Sequence, residues 1–205
     1  MARPILGAVL TVILAAPALA AGPEQARLEF LTPALSEGLL RIQQASPRWT
    51  HVNMNIYGSQ SFYEVSDYSL RINLRGSRSS GGQFFFNGSA GSQYLNLNAY
   101  PRNSQDLRQG YTLSGAYVNL SIDRSGSSYS INGWVNHKSI WLQAMPHAGG
   151  GFSLYGQMGL NLNIMGSGQR LWVTGNVDLS QFDETSLAAL GAVLSVLDSM
   201  PPQSK

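Results

Sequence analysis

Few side chains in this sequence are suited to acid–base or metal chemistry. Its three histidines are His51, His137 and His147, and none stands at an HxH or HExxH spacing that would hold a metal ion. A Ser–His–Asp group is defined by geometry rather than chain order, so a hydrolase would have to use His51 or His147. No GxSxG elbow supports it. Glu64 and Asp67 lie close in sequence, near a turn. As acid and base on a glycoside they would need to stand ~5–9.5 Å apart across a cleft. Asp183-Glu184 is better explained by helix capping and the helix dipole. Gly166-Ser167-Gly168 is not followed by a helix carrying a lysine, so it is no phosphate loop. Gly149-Gly150-Gly151 reads as a hairpin turn. No metal and no cofactor is expected, and the chain leans away from enzymes.

A richer signal lies in residues that alternate with apolar ones. One such set is His51, Asn53, Asn55 and Tyr57. Others are Arg71, Asn73 and Arg75; Asn96, Asn98 and Tyr100; Asn119; Tyr155, Asn161 and Asn163; and Trp172, Thr174 and Asn176. Asparagine is normally depleted in strands. A sheet face tiled with Asn, Tyr and Arg has three readings. It is a solvated face, a glycan-binding face on which amides pair with hydroxyls and aromatic rings stack on sugars, or the lumen of a membrane barrel. For the glycan reading the residues to test are Arg71, Asn73, Arg75, Tyr100, Tyr155 and Trp172.

The elements that position these residues are strands. Alternation runs through His51–Tyr57, Tyr68–Arg75, Gln93–Tyr100, Tyr117–Asp123, Phe152–Ile164 and Leu171–Leu179. The longest reads as a single strand bent at Gly156 and Gly159. Less regular strands fill Gln83–Asn87, Tyr129–Val135 and Ser139–Met145. Short Gly/Ser clusters at 76–82, 87–92, 124–128, 147–151 and 166–169 join them as hairpins. No repeat of 20–50 residues is evident, although the hairpin theme recurs.

Helices are expected at both ends. Leu28, Leu31, Leu35, Leu39 and Ile42 form an amphipathic stripe. Thr32-Pro33 serves as cap and first helical position of a helix from Pro33 to Ala45. At the other end Asp183 caps a helix striped by Leu187, Leu190, Leu194 and Leu197. Phe182 and Leu187 staple its start. The spacing predicts an α+β, mostly β, domain: a curved antiparallel meander sheet of about eight to ten strands over helices at the N- and C-terminal ends. The plan is similar to that of periplasmic lipoprotein carriers in architecture alone.

The N-terminus supplies an address. Arg3, the apolar run Ile5–Ala16 and Ala18-Leu19-Ala20 have the form of a signal peptide cut before Ala21. The run is shorter than the ~20 residues a spanning helix needs. Residues 1–20 are thus the signal and 21–205 a single domain, with helices over 21–46, sheet over 50–180 and a helix over 183–199. Cysteine is absent, so an exported chain of this kind has no disulfides and rests on burial and hydrogen bonding. Only 12% of residues are charged and the net charge is +2. The strand region is mildly positive, but no cluster of bases resembles a nucleic-acid footprint, and no nucleic-acid partner is expected.

These features point to an exported, non-enzymatic binding protein of the bacterial cell envelope, periplasmic, outer-membrane-associated or extracellular. Its ligand is an amphiphile or lipid under the sheet, among Met54, Met145, Met158 and Met165, or a glycan across the Asn/Tyr face. The alternatives are an outer-membrane β-barrel, a secreted hydrolase, and a surface-assembly subunit pairing with envelope proteins through an open sheet edge.

Overall fold

The computed structural model describes residues 47–59, 61–156, 159–167 and 169–200. The signal peptide and the helices expected over 21–46 lie outside them. Twelve antiparallel strands follow one another around a closed barrel, each paired with its sequence neighbours, and the last returns to the first. They are β1 (Trp49–Gly58), β2 (Phe62–Asp67), β3 (Ile72–Arg78), β4 (Phe84–Ala90), β5 (Gln93–Pro101) and β6 (Gly110–Gly115). Then come β7 (Val118–Ser125), β8 (Ser128–Val135), β9 (Lys138–Pro146), β10 (Gly151–Gly156), β11 (Leu160–Ser167) and β12 (Arg170–Asp178). One helix, α1 (Glu184–Asp198), follows.

The expected open sheet of eight to ten strands is therefore corrected to a closed barrel of twelve. β2 and β6 were missed because each is short. Asn87, Gly88 and Ser89, expected in a turn, belong to β4, whereas Tyr68–Arg71 form the turn before β3. The single strand expected from Phe152 to Ile164 is two, β10 and β11. Phe152 pairs with Ile164. Partners in this hairpin have the same parity, so the alternation passes through the connection unbroken and imitates one long strand.

Closure is written in β1 and β12, which pair from Trp49–Asp178 to Tyr57–Arg170. It leaves no free edge, and the open-edge route to a surface assembly goes with it. The apolar positions point inward. Val52, Met54, Ile56, Leu74, Leu97, Leu120, Ile122 and Val173 are all buried, while His51, Asn53, Asn55, Asn73 and Asn96 are exposed.

Inside runs α1. Thr185 to Leu197 are buried without a break, so the helix has no solvent face, as befits one surrounded by sheet. It contacts β1 to β5 on one side and β8 on another. Its start is fixed at the rim where β1 begins. Asp183 accepts hydrogen bonds from the Ser186 backbone N–H (2.9 Å), the Ser186 hydroxyl (2.8 Å) and the Asn136 amide (3.0 Å). Lys138 lies 3.5 Å from the same carboxylate. Phe182 and Leu187 are both buried, as the staple requires. The helix then crosses the barrel at ~1.5 Å per residue. It ends at the opposite rim, where Asp198 and Ser199 stand with Gly58, Tyr63 and Arg78 around a shallow hollow.

The barrel is also built from three four-strand units, β1–β4, β5–β8 and β9–β12, of nearly equal length. The first strands align as Val52-Asn53-Met54-Asn55, Leu95-Asn96-Leu97-Asn98 and Ile140-Trp141-Leu142-Gln143. The third strands align as Ile72-Asn73-Leu74, Val118-Asn119-Leu120 and Leu160-Asn161-Leu162. Each fourth strand carries a glycine at positive φ: Gly88 (151°), Gly133 (147°) and Gly175 (144°). The repeat is invisible to simple self-comparison because its shared positions are few and are separated by connections of different length.

Candidate functional site

With α1 inside, little space remains at the middle of the barrel, although an open hollow of about 290 Å³ lies at the far rim among Tyr129, Phe152, Leu197 and Met200. Beside the helix a void of about 10 Å³ remains among Leu120, Ile131, Leu142, Leu190 and Val193, barely the volume of one water. Of the methionines expected to line a lipid cavity, Met54 is buried against the helix, whereas Met145 and Met165 face outward and are exposed. Met158 lies outside the described residues. Met54 is instead a packing partner of Gly191.

The outer wall is where polar and aromatic groups collect. Two cross-strand rows define one groove on it. In one, Trp172 on β12 pairs with Asn55 on β1, which pairs with Ser66 on β2. In the other, Arg170 pairs with Tyr57, which pairs with Glu64. Together with Tyr68 these residues line a hollow of about 290 Å³. The Arg170 guanidinium stands over the Tyr57 ring, 5.6 Å from its centre, and so orients the aromatic face. The first row continues through Asn73 on β3 and Ser89 on β4 to Tyr94 on β5. Tyr94 is 71% exposed. At a strand spacing of ~4.8 Å the row is ~24 Å long. Its far half forms a second hollow of about 370 Å³ among Asn73, Arg75, Asn87, Ser89 and Tyr94.

The six residues singled out from the sequence do not form one cluster. Trp172, Asn73 and Arg75 belong to this continuous stretch of wall. Arg71 lies in the turn before β3 with φ of 53°. Tyr100 lies at the far end of β5, paired with Thr112. Tyr155 is on β10, beside Gln143 of β9. Sequence reasoning missed Tyr57's pairing with Arg170 and the roles of Ser66, Tyr68, Asn87 and Tyr94. The alternation marked Tyr57 and Asn55 as outward, but only closure brings β12 beside β1.

The catalytic alternatives fare unevenly. Asp67 is 1% exposed. It accepts from the backbone N–H groups of Asn53, Ser69 and Leu70 and from the Ser69 hydroxyl. It is a structural acceptor facing inward, while Glu64 faces the groove, so the two are not an acid–base pair. His51 faces outward beside Asn176. His147 approaches the Ser153 hydroxyl at 2.6 Å through Nε2. A triad also needs a carboxylate on Nδ1 and donors for an oxyanion. The other hydrogen bonds described for His147 are those of its own turn, with Gly150 and Gly151. Among the described residues no group of three or more His, Asp or Glu is placed to hold a metal ion.

The outer-membrane alternative is matched at the level of a closed antiparallel barrel. Its finer pattern is reversed, since a lipid-facing barrel is apolar outside and polar within. Among the described residues no helix is long and apolar enough to cross a membrane. Compared with family models, curated proteins and solved structures, the chain matches none.

Proposed function

We propose that this is an exported, non-catalytic binding protein whose ligand is a glycan held on the outer wall. The observation that carries the reading is the division of the barrel. Apolar side chains and α1 fill the inside, so recognition falls to an outside rich in amides, hydroxyls and exposed rings. Trp172 and Tyr57 supply flat apolar faces with a polar edge. Asn55, Ser66, Glu64 and Arg170 supply donors and acceptors around them. A concave site with aromatic walls and a few fixed polar groups suits a small polar ligand or one segment of a polymer.

An amphiphile in the barrel is disfavoured by the filled interior. The export step rests on the N-terminal sequence, and its check is the N-terminus of the protein recovered from the periplasm, expected at Ala21.

The binding test is a panel of envelope and storage polysaccharides in affinity electrophoresis. Retardation by at least one neutral polysaccharide is expected, and Tyr57→Ala with Trp172→Ala should weaken it at least tenfold. Unchanged retardation in that double variant, or none in the wild type, would overturn the reading.

A further inference from the structure

The wall presents its amides three times. In the first unit Asn73 and Arg75 on β3 face Ser89 and Asn87 on β4, and these face Tyr94 and Asn96 on β5. In the second, Asn119 and Ser121 face Trp134 and Asn132, which face Ser139 and Trp141 on β9. In the third, Asn161 and Asn163 face Asn176 and Thr174, which face His51 and Asn53 on β1. Each patch covers three adjacent strands, and all these side chains are exposed or half-buried.

At the middle of each patch lies the same backbone device. The Cα of Gly88, Gly133 or Gly175 sits against the carbonyl oxygen of Asn73, Asn119 or Asn161 respectively. The missing side chain lets the third and fourth strands approach closely there. It thereby sets the two outward amides, or an amide and a threonine hydroxyl, on either side of one spot. Gly110 and Gly151 make similar approaches to the Ile122 and Ile164 carbonyl oxygens, but only these three recur at the same place, on the fourth strand of each unit between outward polar residues, and that repetition is what distinguishes the patches from a merely solvated surface.

We infer that the three patches are three related binding sites for neutral sugar units, the first being the far half of the groove row and the other two lying apart from it. The inference rests on the glycan reading above and extends it to valence and ligand charge. A primary amide donates two hydrogen bonds and accepts two. Amides on neighbouring strands, ~4.8 Å apart, meet vicinal hydroxyls that both donate and accept. The charges bordering the second patch, Arg102 and Asp123, are paired with each other at 2.6 Å around Ser121, and the third patch holds no Asp, Glu, Lys or Arg, so neither presents a net charge to select an anionic or cationic polymer. Each site exchanges hydrogen bonds to water for hydrogen bonds to sugar and is therefore weak alone. Three on one chain gain by avidity. Because the patches recur every fourth strand around a closed barrel, they face three different directions. One chain then bridges separate polymer segments instead of lying along one.

The test is native mass spectrometry of the exported protein with neutral hexasaccharides of glucose and of N-acetylglucosamine. It compares the wild type with a Tyr57→Ala/Trp172→Ala variant lacking the groove. The groove variant is expected to retain up to three bound sugars. Adding Asn119→Ala and Asn132→Ala, both at outward positions, should reduce the maximum to two, with thermal melts confirming that the barrel is intact. Should Asn132→Ala impair folding, Asn161→Ala and Asn163→Ala in the third patch provide the same reduction. One sugar on the wild type and none on the groove variant would overturn the three-site inference and leave the groove reading standing. No sugar on either protein would overturn both.

Discussion

A Cβ placed on Gly133 would stand 2.0 Å from the carbonyl oxygen of Asn119 on the neighbouring strand. The same relation joins Gly88 to Asn73 at 2.0 Å and Gly175 to Asn161 at 2.1 Å. The obstacle is backbone, which cannot move aside without disturbing the ladder, and the φ angles lie where L-residues are strained. Alanine at any of the three is expected to destabilise the barrel by ~2 kcal/mol or more. The check is the urea midpoint. Similar losses at all three positions would be the thermodynamic mark of the threefold unit, whereas a neutral Gly133→Ala would refute the close approach.

Gly191 of α1 meets the barrel wall in the same manner. A Cβ there would lie 2.4 Å from Val65 Cγ1 and 3.0 Å from Met54 Sδ. Alanine improves helix propensity by ~1 kcal/mol, but overpacking of a filled core costs ~1–3 kcal/mol. Net destabilisation is expected for Gly191→Ala. In a double-mutant cycle with Val65→Ala the two losses should be less than additive. Full additivity would mean that the helix does not press on β2.

At the start of α1, burial alone would raise the Asp183 pKa. Hydrogen bonds from Asn136 and Ser186, with the Lys138 charge, outweigh it and hold the carboxyl below its ordinary value. A depressed carboxyl contributes stability above its unfolded pKa of ~3.9 and loses it as pH falls through the folded value. Asp183→Ala should therefore cost ~1 kcal/mol at neutral pH, and its deficit should shrink below about pH 3.9. Thermal melts at pH 7 and pH 3 measure both. An equal deficit at the two pH values would show that the charge of Asp183 contributes nothing.

Asp198 is the opposite case. Partial desolvation by the far rim raises its pKa although the residue keeps an exposed side, and it lies in the last turn of α1, where the helix dipole disfavours negative charge. Ionised, it destabilises the fold. Asp198→Asn should raise the melting temperature at pH 7 through relief worth ~0.3–1 kcal/mol. That gain should vanish once the native carboxyl is protonated in acid. A lowered melting temperature at pH 7 would instead assign Asp198 a favourable partner at the rim.

Much of the local structure is legible in the sequence because it depends on neighbours along the chain. Alternation names the inward residues Val52, Met54, Leu97, Leu120 and Val173, and the outward Asn53, Asn96, Asn119 and Asn176, since side chains on a strand alternate faces. Asp183, Phe182 and the leucine stripe fix where α1 starts, because a cap and a staple act within one turn. The polar character of the candidate wall was legible for the same reason.

Tertiary structure decided the rest. Trp172 meets Asn55 only because β12 closes on β1 across most of the chain's length. That pairing is set by the summed twist and stagger of twelve strands, not by any local pattern. The same closure turns one apolar face into an interior and places α1 within it, which removes the ligand cavity expected under an open sheet. Asn73, Asn119 and Asn161 are set against their glycines by three local hairpins, and closure distributes those hairpins around the wall. Sequence determined which side chains face out; the closed barrel determined which of them stand together.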